Sequence, residues 1–365
     1  MKMTSNVRSY TRDGSTLDQG RLVFLDAIRG FALLGVLLTN LMQSYGFVRT
    51  GVDSSVAVLL RVFAEGTFYP MFAFLFGLGI SLQLLQESHT NYLRRRLLIL
   101  ALVGSLHGVL LYSGDILFMY GVLGLVVLAL SRTGDKTLLI LSAILWTISF
   151  GLFLTEPSLL TPDGEPNFEP GIDTDYFAMV ADRWRDFGLE FFSLFVIGPA
   201  VLGMMLLGYV AGRRGSLTKL TRIQLRRIGI ACGLIAAPLS LWSLGIVSFS
   251  DDLQRLHTAE YFLASPLIGG VYIATLSYYQ GQYGKVETLF ASVGRMSLTN
   301  YLAQSLICTT VFYPYGLGLY GSAGISKVCL FGVALYLGQM GFSIAWLKEH
   351  RYGPAEFLWR KMARK

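Results

Sequence analysis

An all-α, polytopic transmembrane helix bundle is the fold class this sequence predicts, on three observations. Of its 365 residues 53% are hydrophobic and 15% charged, whereas a soluble domain carries about 25% charged residues. The apolar residues gather into runs close to the ~20 needed for a helix to cross a bilayer. The basic residues gather in alternate gaps between those runs.

About ten spans follow, near 22–43, 66–86, 95–112, 116–131, 137–155, 188–211, 227–248, 259–279, 297–313 and 323–347. With the N-terminus inside, about 23 of the 30 Lys and Arg fall on one side, and about 15 of the 23 Asp and Glu on the other. The positive-inside rule then puts both termini in the cytoplasm. The chain divides into an N-terminal tail (1–21), a first five-span half (22–155), an acidic outer loop (156–187), a second five-span half (188–347) and a basic C-terminal tail (348–365). The first part of the outer loop is rich in Pro, Gly and acids and reads as irregular. From Asp175 onward it predicts a short surface helix with Trp184 and Phe187 at the interface.

The formal charge of +7 is explained by topology and calls for no nucleic acid. The same positive loops suit anionic lipid headgroups or an anionic cytoplasmic cofactor. Residues 1–20 lack an apolar core, so no cleavable signal peptide is expected. Cys232, Cys308 and Cys329 lie in apolar spans and read as unpaired packing residues. No metal-binding motif occurs, and four scattered histidines do not make a metal site.

The first span contains "LDAIRGFALLGVLLTN", Leu25 to Asn40. A charge in hydrocarbon costs roughly 2.5–3.5 kcal/mol on insertion scales, yet this helix carries Asp26 and Arg29. At 100° per residue Asp26, Arg29, Asn40 and Gln43 share one face. The i, i+3 spacing lets Asp26 and Arg29 pair, which is cheaper than two lone charges. The pair reads either as a helix anchor or as part of a site. In the second span, "FYPMFAFLFGLGISL" sets Pro70 where it should break or kink the backbone. Gly77, Gly79 and Ser81 there permit close helix approach.

"LHGVLLYSGDIL" (Leu106 to Leu117) ends the third span and turns into the fourth. His107 lies about ten residues from the inner end, or roughly 15 Å at 1.5 Å per residue, which predicts a place near the midplane. It is the only histidine within a span. Gly104, Ser105 and Gly108 make room beside it for another backbone or a ligand. Such a histidine is either an interhelical hydrogen-bond partner or a functional group. The ninth span opens with "GRMSLTNYLAQSL", in which Ser297, Asn300 and Gln304 share a face and Arg295 sits at the cytoplasmic mouth. Interhelical bonding explains Asn and Gln there as well as a site does. "RYGPAEFLWRKMA" after the last span predicts a short interfacial element around Pro354 and Trp359.

These blocks, from Arg21 to Arg360, resemble the YeiB-like family of bacterial polytopic membrane proteins, whose C-terminal region is a domain of unknown function. The first block is also similar to the opening helix of transmembrane acyltransferases. "FYPMFAFLFGLGIS" resembles the second-helix pattern of the heparan-glucosaminide acetyltransferase branch. The resemblance implies an acyl group taken from cytoplasmic acyl-CoA, acetyl-CoA included, and delivered to an acceptor across a bacterial cytoplasmic (inner) membrane. Where those enzymes end the first helix with histidine, this chain has Asn40. The late "SLTNYLAQ" resembles the Ser-aromatic-…-Tyr-Leu-x-His pattern of the polysaccharide acyltransferases, and where that pattern ends in histidine this chain has Gln304. Neither amide can act as a base near neutrality, so base duty moves to His107, the side chain type suited to it.

The leading expectation is therefore a membrane acyltransferase. His107 takes the acceptor's proton or carries the acyl group itself, Asn40, Asn300 or Gln304 stabilise the oxyanion, and Arg29 and Arg295, with Asp26 paired to Arg29, hold the CoA phosphates. Membrane lipids, the acyl donor and an acceptor hydroxyl or amine are the partners, and a homo-oligomer is compatible with the sequence. The second expectation is a transporter or flippase of a small polar or lipid-linked substrate, with Asp26, Arg29 and His107 lining its path.

Overall fold

The computed structural model describes residues 15–45, 51–86, 90–155, 175–241 and 260–364. Among the described residues every regular element is helical. Helix α1 runs Ser15–Ser44, α2 Gly51–Phe63, α3 Phe68–Gln86, α4 Thr90–Leu110, α5 Leu117–Ala129 and α6 Asp135–Thr155. Then come α7 (Tyr176–Val196), α8 (Gly198–Arg214), the single turn α9 (Ser216–Lys219) and α10 (Arg222–Leu241). A π turn at Glu260–Ala264 leads into α11 (Ser265–Tyr278), followed by α12 (Gly284–Arg295), α13 (Ser297–Phe312), α14 (Ile325–Glu349) and α15 (Pro354–Arg364).

Six described stretches are long and apolar enough to cross a membrane: Val23–Ser44, Ser55–Leu85, Asp135–Thr155, Arg222–Leu241, Glu260–Tyr278 and Ile325–Glu349. The other four predicted spans hold helices that are shorter or more charged. Helices α5, α8 and α13 have 13, 17 and 16 residues, and α4 carries Arg94 to Arg96 inside it. The exposed residues Ile140, Ile144 and Ile148 of α6 recur every four positions on its outward face, the pattern of a helix seen by lipid rather than by water.

Several boundaries differ from the sequence-based ones, each for a local reason. Residues 44–65 hold α2, an apolar helix, where a loop is predicted. The break after it falls at Ala64–Thr67, where Gly66 has φ +66°. Pro70 therefore stands in the first turn of α3, where its missing N–H costs nothing, and starts a helix instead of kinking one. The sixth predicted span is two helices, because Pro199 opens α8 and cannot continue the helix before it. The helix after Asp175 is long, with 21 residues. The Asp175 carboxylate caps it by accepting the Ala178 N–H at 2.7 Å. Trp184 is exposed and stacks on Phe187. Residues 1–14, 156–174 and 242–259, with the predicted irregular half of the acidic loop and the end of the seventh span, lie outside the described residues.

Close backbone approaches hold the bundle. At the crossing of α1 and α12 a methyl on Gly294 would lie 1.8 Å from the Asp26 carbonyl oxygen, and one on Gly30 2.0 Å from that of Phe290. Helices α3 and α8 meet in the same way at Gly77 and Gly208. Around α1 the fully buried Ile28, Leu33 and Leu41 form one core. A second core, around Leu97, Leu138 and Met205, joins α4, α5, α6 and α8.

Helix α15 folds back across the ends of α4 and α13. Glu356 accepts the Leu298 N–H at 2.7 Å and the Thr299 N–H at 3.1 Å, so a side chain from the tail satisfies the open donors at the start of α13. Trp359 donates to the Arg96 carbonyl at 2.7 Å, and the Arg96 guanidinium lies 4.1 Å from its ring centroid. Arg96 is therefore buried within α4, which begins five residues before the predicted third span.

Candidate functional site

The sequence-predicted residues separate into two groups at opposite ends of α1. Arg29 and Asn40 are eleven residues apart on one unbroken helix, about 16 Å at 1.5 Å per residue.

At the first end Arg29 donates to Asp26 at 2.9 Å, with both side chains about a quarter exposed. The Arg29 guanidinium lies against Gly79 of α3, where a methyl would sit 2.9 Å from its Nη2. Arg295, the last residue of α12, donates to the Arg351 carbonyl. Arg295 and Arg360 also act electrostatically on Asp26. One carboxylate contacts Arg29, and the charges of Arg295 on α12 and Arg360 on α15 reach it, an excess of positive charge suited to an anion. Breaking the Asp26–Arg29 pair costs between the ~1 kcal/mol of an exposed pair and the about 3–5 kcal/mol of a fully buried one. Asp26→Asn and Arg29→Gln are each expected to lower the yield of monodisperse protein, and the double variant to recover part of it. Size-exclusion profiles read the result, and unchanged profiles for both single variants would leave the pair no structural role.

At the second end the tight turn after α4 brings Asp115 back to His107. His107 Nδ1 donates to Asp115 Oδ1 at 2.8 Å, and the two side chains are 2% and 0% exposed. Asp115 Oδ2 accepts the Phe118 N–H at 2.9 Å at the start of α5, which fixes the carboxylate by its other oxygen. A carboxylate oxygen accepts only, so Nδ1 carries a proton and, in the neutral imidazole, Nε2 holds the lone pair. That Nε2 is buried with no hydrogen-bond partner.

Gly104 is what lets the pair form. A methyl there would lie 2.1 Å from the Phe118 nitrogen and 2.7 Å from Asp115 Oδ2. The small residues around His107 thus admit a neighbouring backbone. His107 itself falls in the last turn of α4, which starts at Thr90 with the arginines inside it.

Phenols surround the pair. Tyr301 lies beside it, with ring centroids 5.3 Å apart and its hydroxyl 3.5 Å from Asp115 Oδ1. Tyr112 bonds Ser44 of α1 at 2.7 Å. Tyr69 donates to Asn40 Oδ1, which turns the amide –NH2 of Asn40 away from the phenol as the free donor end. Tyr112, which bonds Ser44 on the helix of Asn40, also lies 6.4 Å from the His107 ring, centroid to centroid. Asn40 and His107 therefore belong to one polar cluster.

Asn300 and Gln304 do not join it. Both amide hydrogens of Asn300 are committed, to the Val293 carbonyl at 3.2 Å and Ser343 at 3.0 Å. Gln304 donates to Gln339 at 2.8 Å, and Gln339 to the Asn300 carbonyl at 2.9 Å. Together they tie α13 to α14, so the expected oxyanion role has no donor left at Asn300. Asp115 and Tyr301 are the members that sequence reasoning missed. Asp115 eight positions beyond His107, across the Ser113–Gly114 turn, was the available signal for the first. Tyr301 next to Asn300 falls on a different helical face.

Two relatives span nearly the whole chain. The uncharacterized protein YeiB of Escherichia coli (strain K12) is 30% identical over 376 residues, spanning 94% of this chain and 96% of YeiB. The uncharacterized protein YxaH of Bacillus subtilis (strain 168) is 29% identical over 398 residues, spanning 94% of each. The chain belongs to the YeiB-like family. A family model described as a protein of unknown function (DUF418) matches residues 211–365. In this YeiB-like chain that stretch holds Arg295, Tyr301 and Glu356, whereas His107 and Asp115 precede it.

Proposed function

We propose that this YeiB-like protein is a membrane acyltransferase of the bacterial inner membrane, with ten spans, both termini cytoplasmic and the Asp26 end of α1 facing the cytoplasm. The observation that carries the reading is the buried His107–Asp115 pair with Nε2 unpartnered. The guanidinium cluster at the far end of α1 supports it. Acyl-CoA is the co-substrate: Arg29, Arg295 and Arg360 would hold its phosphates, with the acyl arm running along α1 towards His107.

His107 Nε2 takes the proton of an acceptor hydroxyl or amine. The freed oxygen or nitrogen attacks the thioester carbonyl, the bond from carbon to sulfur breaks, and the proton passes from His107 to the leaving thiolate. Asp115 holds the imidazole in the base tautomer and stabilises its cation. The Asn40 amide donates to the oxyanion.

Thiol release from acetyl-CoA by purified protein, with a bacterial membrane extract supplying acceptors, tests the reaction. Solute accumulation in proteoliposomes without thiol release would sink it in favour of a transporter. Orientation is checked separately with an impermeant thiol reagent. A single cysteine at position 216 should stay unlabelled in intact cells and label after lysis, and labelling of intact cells would reverse the topology.

A further inference from the structure

Arg183 lies on α7, a helix whose exposed side is aromatic. Phe177, Trp184, Phe191, Phe192 and Phe195 all face outward, the composition of a helix resting at a membrane interface. Arg183 faces the other way and is 4% exposed. Among the described residues no carboxylate pairs with it, and the neighbouring Asp182 is paired with Arg185.

Arg183 Nη1 donates to the Leu110 carbonyl at 3.3 Å, and its guanidinium lies 5.5 Å from the Tyr313 ring centroid. Nε and Nη2 are buried with no hydrogen bond within 3.5 Å, and the Tyr313 hydroxyl is a polar neighbour of the guanidinium. Those two nitrogens form one edge of the guanidinium, the fork that grips two oxygens of a phosphate or carboxylate side by side. A buried cation with an empty fork is costly unless an anion completes it. Leu110 is three residues beyond His107, one turn or about 4.5 Å further along α4. The open fork and the open Nε2 thus belong to the same end of the same helix.

We propose that Arg183 binds a phosphate group carried by the acceptor, either a lipid headgroup or a soluble phosphate ester, and so sets the acceptor beside His107. The acceptor role rests on the acyltransferase reading, whereas the phosphate site itself does not. A phosphate is favoured over a lone carboxylate because an interfacial aromatic helix holds Arg183 at the depth where lipid phosphates lie.

The test is binding without acyl-CoA. Thermal unfolding of the purified protein in neutral detergent is followed with added phosphatidylglycerol, phosphatidylcholine or inorganic phosphate. A rise of a few degrees with phosphatidylglycerol, absent in Arg183→Gln and kept in Arg185→Gln at an exposed arginine of the same helix, supports a lipid phosphate. The same pattern with inorganic phosphate alone supports a soluble ester. No rise with either, or an equal rise in Arg183→Gln, overturns the site. Should Arg183→Gln misfold, Arg183→Met keeps the buried stem, and native mass spectrometry of the wild type reads lipid retention directly. Lipid retention in Arg183→Met equal to that of the wild type counts against the site. Binding without thiol release from acetyl-CoA leaves the phosphate site standing and removes the acyltransferase. Thiol release without Arg183-dependent binding does the reverse.

Discussion

His107→Gln is expected to fold as the wild type does and to lose acyl transfer by a factor of about 10²–10⁴, the usual contribution of a positioned general base. Glutamine can keep a hydrogen bond to Asp115 and fill much of the space, but it offers no basic lone pair. Asp115→Asn should be nearly as inactive for a different reason. The Phe118 N–H needs an acceptor, so the asparagine turns its oxygen that way and its –NH2 towards His107 Nδ1. Nδ1 must then accept, the imidazole proton moves to Nε2, and the base is gone while the shape remains. Thiol release measured beside thermal unfolding separates loss of chemistry from loss of fold. A His107→Gln protein with wild-type turnover would reduce His107 to a link between helices.

Gly294→Ala should be among the most destabilising methyl additions to the described helices. That methyl would lie 1.8 Å from the Asp26 carbonyl oxygen and 2.7 Å from its carbon, inside any allowed contact. Both neighbours are backbone, so no rotamer change relieves the clash and α12 must move off α1. Overpacking costs about 1–3 kcal/mol where side chains can adjust, and occasionally more; here about 3 kcal/mol or above is expected. Gly151→Ala is the control. Nothing lies within 4 Å of that position in α6, and replacing glycine within a helix gains roughly 0.5–1 kcal/mol. Thermal unfolding should therefore move down for the first variant and slightly up for the second. Equal midpoints would mean the α1–α12 contact is loose.

The separation of Arg29 from Asn40 along one helix was legible in the sequence, because a 3.6-residue period and an apolar run of more than 20 residues leave the chain little else to do in lipid. The Asp26–Arg29 pair was legible for the same reason, as a local i, i+3 relation. Amphipathic α12 was hidden, since its polar residues read as loop and only packing on α1 buries its other face.

Sequence alone thus determined the helical membrane class, the family motifs and His107 as the histidine to examine. Tertiary structure decided which polar groups meet. Asn300 and Gln304 look like site residues by spacing, yet they pair with Ser343 and Gln339 some forty positions away. Asp115 looks like a turn residue, yet the α4–α5 hairpin and the bare Cα of Gly104 press it onto His107. The physical reason is that hydrophobic period reports which face of a helix is buried, whereas the identity of a buried polar partner depends on which helices lie alongside, and that is set by close packing between distant segments.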